Sequence, residues 1–224
     1  MWARCPLFAV CFMLAAPSGA GTITGSVSAR GKSVPDSAGG GGKYESRKYK
    51  FLEKVDYSRM QEFVVSLEGE FQGATVPTNI ASVVVHKSGA FYPHVLPVLA
   101  GTTVKWPNQD EIYHNAFSIS ESNPFDLGLY KDETKELSFS TPGRVDVFCS
   151  IHKNMHCIVL VMPNPHFAST DKKGRYRIPD VPAGTYRIKA WHERMPAQTQ
   201  EVVVPAEGEV NVDFILKIQG LPTR

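Results

Sequence analysis

Short segments in which apolar and polar residues alternate run through most of this 224-residue chain, and turn residues separate one segment from the next. Residues 102–106, 145–149 and 210–216 show the period of two that is typical of a half-buried strand, and no stretch has a convincing long helical period. This pattern predicts an all-β fold built from sandwiches or barrels. Because 42% of the residues are hydrophobic, real cores can form, and the length fits two small sandwiches best.

Three residues with metal-binding side chains follow one of these strands at intervals of three: Cys149, His152 and Met155. Alternation over 145–149 directs the sulfur of Cys149 towards an apolar interior, and a tight loop then allows His152 and Met155 to converge on it. His114, which lies 35 residues before Cys149, supplies a second imidazole. A thiolate, two imidazoles and a thioether form the soft ligand set that suits copper cycling between Cu(I) and Cu(II), with Met155 as the weak, long axial ligand.

The pair His114-Asn115, followed by Cys-x-x-His-x-x-Met from 149 to 155, resembles the ligand pattern of the cupredoxins, the blue-copper family of plastocyanin, azurin and amicyanin. The short ligand loop is most similar to that of amicyanin. Further segments are placed as in that family, namely residues 91–93, 101–110 and 142–143. The resemblance covers roughly residues 82–163. It implies a Greek-key sandwich with one type 1 copper ion bound by His114, Cys149, His152 and Met155, with Asn115 linking the two ligand loops through hydrogen bonds.

A second strand pattern begins after residue 163, with turns at 171–174 and 181–184 and strands at 175–178, 186–191 and 210–216. These segments resemble the smaller, transthyretin-like sandwich of the carboxypeptidase regulatory type. The combination resembles exported methylamine-utilization-type cupredoxin proteins. Such a sandwich usually begins with a Gly-x-Val strand and an apolar strand, which Gly25-Ser26-Val27 and residues 63–67 match.

Residues 164–224 alone provide only a thin core, so a discontinuous domain organisation is predicted. Residues 21–70 and 164–224 form the regulatory-like sandwich, and residues 71–163 form an inserted copper domain. A Gly-rich flexible loop occupies residues 31–43. The basic and aromatic segment 43–60 is interpreted as a surface insertion, with docking to an acidic partner as the alternative.

The first 20 residues have the character of a secretory signal peptide, with one positive charge, an apolar run too short to span a membrane, and small residues before a cut after Ala20. We therefore expect a periplasmic or secreted protein. A lipoprotein anchored through Cys11 is the alternative. The mature chain then keeps Cys149 and Cys157, which are expected to be a ligand and a buried free thiol. A disulfide between them is the competing prediction in an oxidising compartment.

The remaining histidines are interpreted mainly as structural. His156 offers an alternative to Met155, or a zinc site with Cys149, His152 and Cys157, but alternation turns it away from the Cys157 face. His86 and His94 lie in predicted strands of the copper domain. His166 and His192 lie in or beside the second sandwich, where the stretch Trp191-His192-Glu193 is a candidate for the junction between the domains.

No hydrolytic triad, phosphate-binding loop or paired-carboxylate site is recognisable, so the chain is predicted not to be an enzyme. A net charge of +2 gives no reason to expect nucleic acid as a partner. The sequence predicts an exported type 1 copper protein that transfers single electrons to and from a redox partner protein, with His152 as the exit route if its outer edge reaches the surface. Two alternatives stay open: a copper-handling protein without electron relay, and an interaction protein that the metal only stabilises.

Overall fold

The computed structural model describes residues 19–31, 56–69, 71 and 82–217. Within these ranges the regular structure consists of strands and one short 3-10 helix, Tyr57–Arg59, which confirms the predicted all-β class. None of these segments forms a helix with the length and apolar character to cross a membrane. Residues 1–18 of the predicted signal peptide, nearly all of the Gly-rich loop and residues 43–55 of the basic segment lie outside the described ranges.

Eighteen strands occur in the described part of the chain. In chain order they are β1 Ala20–Arg30, β2 Val64–Glu68, β3 Ser82–Val83, β4 Val85–Lys87, β5 Ala90–Tyr92, β6 Val95–Leu99, β7 Thr102–Pro107, β8 Phe117–Ser118, β9 Phe125–Asp126, β10 Thr134–Phe139, β11 Gly143–Phe148, β12 His156–Met162, β13 Phe167–Ser169, β14 Arg175–Pro182, β15 Gly184–His192, β16 Met195–Val204, β17 Glu209–Asn211 and β18 Phe214–Lys217.

The strands nearest the two ends of the chain form one pair of sheets. In the first sheet, β1 pairs antiparallel with β14 and parallel with β17 and β18. In the second sheet the order is β13, β2, β15 and β16, with every pair antiparallel. Both sheets contribute to one buried core, whose larger members include Ile23, Phe63, Leu67, Ile178, Ile188 and Phe214. Strands that are far apart in sequence therefore share each sheet and enclose one core.

The expected single strand over residues 210–216 is wrong, because the chain forms two short strands, β17 and β18, there. At the break, the Asp213 carboxylate accepts hydrogen bonds from the backbone N–H and the hydroxyl of Ser26, at 2.7 and 2.8 Å. The carbonyl oxygen of Val212 approaches Gly25 so closely that a Cβ on Gly25 would lie 1.9 Å from it. Only glycine fits at this contact, where side-chain and backbone hydrogen bonds interrupt the ladder along β1.

Strands between Ser82 and Met162 form the second set of sheets. One sheet has the order β10, β7 and β3, another has the order β6, β12, β11, β8 and β9, and β4 pairs with β5. Apolar side chains from these strands pack around the fully buried Trp106, which confirms its predicted core position. Cys149 and Met155 belong to this same cluster. The predicted ligand loop therefore enters the core of this sandwich.

Asn164 lies where the chain leaves one set of sheets and enters the other. Its buried side-chain amide donates to the carbonyl oxygens of Leu67 and Gly69, both at 3.0 Å, and its side-chain oxygen accepts from the backbone N–H of His166 at 3.0 Å. The N–H of Leu67 in turn donates to the carbonyl of His166 at 2.9 Å. The end of β2 and the start of β13 therefore lie side by side, although about a hundred residues separate them.

Replacing Asn164 with alanine is expected to lower the free energy of unfolding by about 2 kcal/mol, because it leaves buried backbone groups of Leu67 and His166 without partners. Urea unfolding of the full chain measures this. Asn123→Ala is the control, because Asn123 makes its hydrogen bonds to Thr141 at an exposed site, where the expected change is within about 0.5 kcal/mol. Equal losses in the two variants would contradict the role assigned to Asn164.

Candidate metal centre

Strand β11 directs Cys149 into the core. Val145 and Val147 are fully buried, and Cys149 continues their face with only 7% of its surface exposed. After the strand, the backbone turns back at once: the N–H of Cys149 donates to the carbonyl of Met155 at 3.2 Å, and the N–H of Met155 donates to the carbonyl of His152 at 3.1 Å. These two bonds close the loop and hold its residues near the sulfur.

His114 approaches the same point from a different segment. Reciprocal backbone hydrogen bonds with Tyr130, at 3.1 and 2.8 Å, fix its position, and its side chain is completely buried. Its Nδ1 lies 2.9 Å from Nδ1 of His152, and the latter lies 3.6 Å from the sulfur of Cys149. One ligand atom from each of these three residues falls within 4.8 Å of the others. The fold therefore brings together three of the four residues singled out from the sequence around one point.

Asp110 orients the ring of His114. Its Oδ2 lies 2.8 Å from Nε2 of His114. Burial raises the pKa of Asp110, but hydrogen bonds from the backbone N–H groups of Gly89 and Ser88 and from His114 outweigh it, so the pKa lies below its ordinary value. The ionised carboxylate accepts the Nε2 proton, which leaves the Nδ1 lone pair of His114 directed at His152 and Cys149. Sequence reasoning missed this residue, because its position depends on the turn at Ser88 and Gly89, which holds its carboxylate.

The residues fit a copper ion by their chemistry. Two imidazoles and one thiol converge at the apolar core cluster to which Cys149 belongs, and copper favours such a mixture of nitrogen and sulfur donors. Met155 is almost fully buried in the same cluster, which places a thioether residue beside the Cys149 and His152 loop. Its assignment as the axial ligand stays a prediction.

Asn115 joins the two ligand segments. Its side-chain oxygen accepts hydrogen bonds from the backbone N–H of Ser150 at 2.7 Å and from the Ser150 hydroxyl at 3.0 Å. Ser150 directly follows Cys149, and Asn115 directly follows His114. The predicted linking role of Asn115 is therefore confirmed.

His86 packs against His114 on the buried side of the candidate site. It is fully buried, and its Nε2 lies 3.0 Å from the hydroxyl of Tyr130, which donates to the carbonyl of Trp106 at 2.9 Å. Its ring lies 5.7 Å from that of His114. Burial, and then the charge of His114, lower the pKa of His86 to about 4. His86 is therefore a neutral structural histidine, as the sequence suggested.

His156 lies away from this convergence point. Its Nε2 lies 3.1 Å from Asp146 Oδ1, and its ring stacks on Phe148 with centroids 4.8 Å apart.

Cys149 and Cys157 are both free thiols in the structure, so the alternative prediction of a disulfide between them is wrong. Burial raises the pKa of the Cys157 thiol well above its ordinary value, which keeps it protonated in the core.

The comparisons with known proteins each match only part of the chain. Residues 159–217 match the family model of the carboxypeptidase regulatory-like domain. The matched residues begin within β12 and end with β18. The two strands β1 and β2, which complete the sheets of the regulatory-like part, lie outside the matched residues.

Three solved structures resemble part of this chain. The copper-containing nitrite reductase of Thermus scotoductus SA-01 is 27% identical with a TM-score of 0.37, over 44% of this chain and 26% of the reductase. A purple cupredoxin from Nitrosopumilus maritimus is 24% identical with a TM-score of 0.32, over 36% of this chain and 99% of its own. An oxidised point mutant of amicyanin is 23% identical with a TM-score of 0.35, over 44% of this chain and 98% of its own. This chain thus spans about a quarter of the reductase.

Proposed function

We propose that this protein is an exported type 1 copper protein that transfers single electrons and is not an enzyme, with His114, Cys149, His152 and Met155 as the ligands of one copper ion. The observation that carries the proposal is the convergence of the His114, His152 and Cys149 ligand atoms within 4.8 Å inside an apolar core. Copper held in such a site would supply reversible one-electron chemistry.

Hydrogen bonds within the chain support this role by fixing the proposed ligands in position. Asp110 fixes the tautomer and direction of His114, and Asn115 binds the backbone beside Cys149. The loop that contains His152 is closed by its own backbone bonds. Ligands that are fixed in this way move little when the charge of the ion changes, which favours rapid electron transfer over metal delivery.

The surface beside the ligands supports a protein redox partner. His152 is partly exposed, whereas His114 is completely buried, so His152 is the ligand through which electrons would leave. Large apolar side chains that are at least half exposed adjoin the ligands in sequence: Ile112, Tyr113 and Ile151. Exposed apolar side chains of this size suit a transient contact with another protein. Export to the periplasm rests on the signal-peptide character of residues 1–20.

The test of this function is cyclic voltammetry of the copper-loaded protein, which should give a reversible one-electron wave.

Met155→Leu should retain copper and shift the potential upwards, because the axial thioether donor that stabilises Cu(II) is lost. Leu67→Met, in the core of the regulatory-like sandwich, is the control and should leave the potential unchanged. Copper that binds without a reversible wave would favour a copper-handling protein. An unchanged potential in Met155→Leu would exclude Met155 as the axial ligand.

A further inference from the structure

A second group of metal-binding side chains lies at the junction of the two sandwiches. We propose that His94, His156 and Glu193 bind a divalent ion of the zinc type there, separate from the copper centre. This proposal does not depend on the proposed electron-transfer function. It rests on the positions of the three side chains, the hydrogen bonds that orient both histidines, and their partial exposure.

The three side chains come from three separate segments of the chain and converge. His94 directly precedes β6, His156 begins β12, and Glu193 lies in the turn between β15 and β16. The carbonyl of His94 accepts from the N–H of Ile158 at 2.7 Å, so the two histidine-bearing segments are adjacent. One ligand atom from each of the three side chains lies within 4.8 Å of the others.

The separations suit a single small ion. Nε2 of His94 lies 3.0 Å from Oε2 of Glu193, and the rings of His94 and His156 are 5.3 Å apart between centroids. Two ligands of one tetrahedral zinc ion lie about 3.4 Å apart, given bond lengths of about 2.0–2.2 Å to nitrogen and oxygen. Small rotations of the side chains therefore bring all three donors to one ion.

Each histidine has a second partner that binds one ring nitrogen and leaves the other as the possible donor to a metal ion. Nδ1 of His94 donates to the carbonyl oxygen of His156 at 3.1 Å, and its Nε2 faces Oε2 of Glu193 at 3.0 Å, so an ion bound between these two atoms would replace the Nε2 proton. Nε2 of His156 lies 3.1 Å from Oδ1 of Asp146, which leaves its Nδ1. Arg144 holds the Asp146 carboxylate with two hydrogen bonds, at 2.8 and 2.7 Å. Histidines that ligate metals characteristically have such carbonyl or carboxylate partners.

A simple ion pair between His94 and Glu193 explains only part of this arrangement. It accounts for their 3.0 Å contact but not for the third donor, His156, in the same cluster. The side chains are 32% exposed for His94, 22% for Glu193 and 27% for His156. An ion can therefore enter from solvent, and a water molecule can complete a tetrahedral set of two histidines and one carboxylate.

Zinc titration of the full chain tests the proposal, with binding followed by isothermal calorimetry and by equilibrium dialysis. The Cys149→Ser variant removes the thiolate of the other centre, and in it we expect one zinc ion per chain. Adding Glu193→Gln or His94→Gln should weaken binding by more than about 10-fold, because losing a ligand exceeds the effect of losing an outer partner. Adding Glu136→Gln should change nothing, because Glu136 lies on β10 and pairs with Lys105.

Two further measurements distinguish binding at this site from binding at the other centre. Cobalt(II) in place of zinc should give the visible absorption of a four-coordinate ion in the Cys149→Ser chain and lose it in the Glu193→Gln double variant. In the wild-type background, Glu193→Gln should remove one zinc equivalent while binding at the other centre persists. The absence of stoichiometric zinc in Cys149→Ser, or equal affinity in the Glu193→Gln and Glu136→Gln variants, would overturn the proposal.

Discussion

Replacing Cys149 with serine is expected to abolish the intense visible colour of the copper-loaded protein and to weaken copper binding by more than about 100-fold. The colour of a blue-copper site arises from charge transfer between a cysteine thiolate and Cu(II), and a hydroxyl cannot replace that donor. Outer partners of a ligand already contribute about 10–100-fold in affinity, so the loss of the thiolate itself should exceed that range. The measurements are the visible absorption spectrum and the copper content after dialysis against a competing chelator.

Cys157→Ser is the matched control, because Cys157 is also a buried free thiol of the same core. It should reduce stability but retain the colour, since its side chain is absent from the group formed by His114, Cys149 and His152. Colour that survives in Cys149→Ser, or that disappears in Cys157→Ser alone, would mean that the ligand assignment is wrong.

The segment 164–224, expressed alone, is expected to remain unfolded. Strand β1 is the common partner of β14, β17 and β18, and β2 lies between β13 and β15. Without them, every one of these strands loses its neighbour on one side, and the core loses Ile23, Phe63, Val65 and Leu67. Far-ultraviolet circular dichroism and urea titration should show no cooperative transition, because so small a chain cannot bury enough apolar surface.

A chain that keeps both parts of this sandwich provides the comparison. Joining residue 69 to residue 164 through a short glycine linker should restore a cooperative transition, because the carbonyl of Gly69 already accepts a hydrogen bond from the Asn164 side chain at 3.0 Å. This pair of experiments tests the predicted insertion of residues 71–163 into a discontinuous domain. Cooperative unfolding of 164–224 by itself would refute it.

Much of the fold could be predicted because burial imposes a period of two. Strand β7 includes the predicted residues 102–106, and its Val104 and Trp106 are buried as expected. Strand β16, in contrast, was missed. Its middle residues are polar, because it forms the edge of its sheet beyond β15 and a large part of it faces solvent. An edge strand needs no continuous apolar face, so its sequence does not distinguish it from a loop.

The contacts in the two candidate sites also differ in whether the sequence could predict them. That Cys149 and His152 lie close together was predictable because one short loop carries both, and the local geometry of a turn follows from spacing. Asp110 was missed because its contact with His114 depends on how the chain folds around Gly89 and Ser88. The contact between His94 and Glu193 joins residues 99 positions apart and requires two sandwiches to pack together. No local pattern encodes such a contact.

The pairing of β1 also has a consequence for biosynthesis. This strand leaves the ribosome well before its three partners, which all lie beyond residue 174. Strands β3 to β12, by contrast, find their partners within residues 82–162. Residues 82–162, which contain His114 and Cys149, can therefore fold before β1 and β2 have their full set of partners, and the strands after residue 174 then complete the remaining sheets.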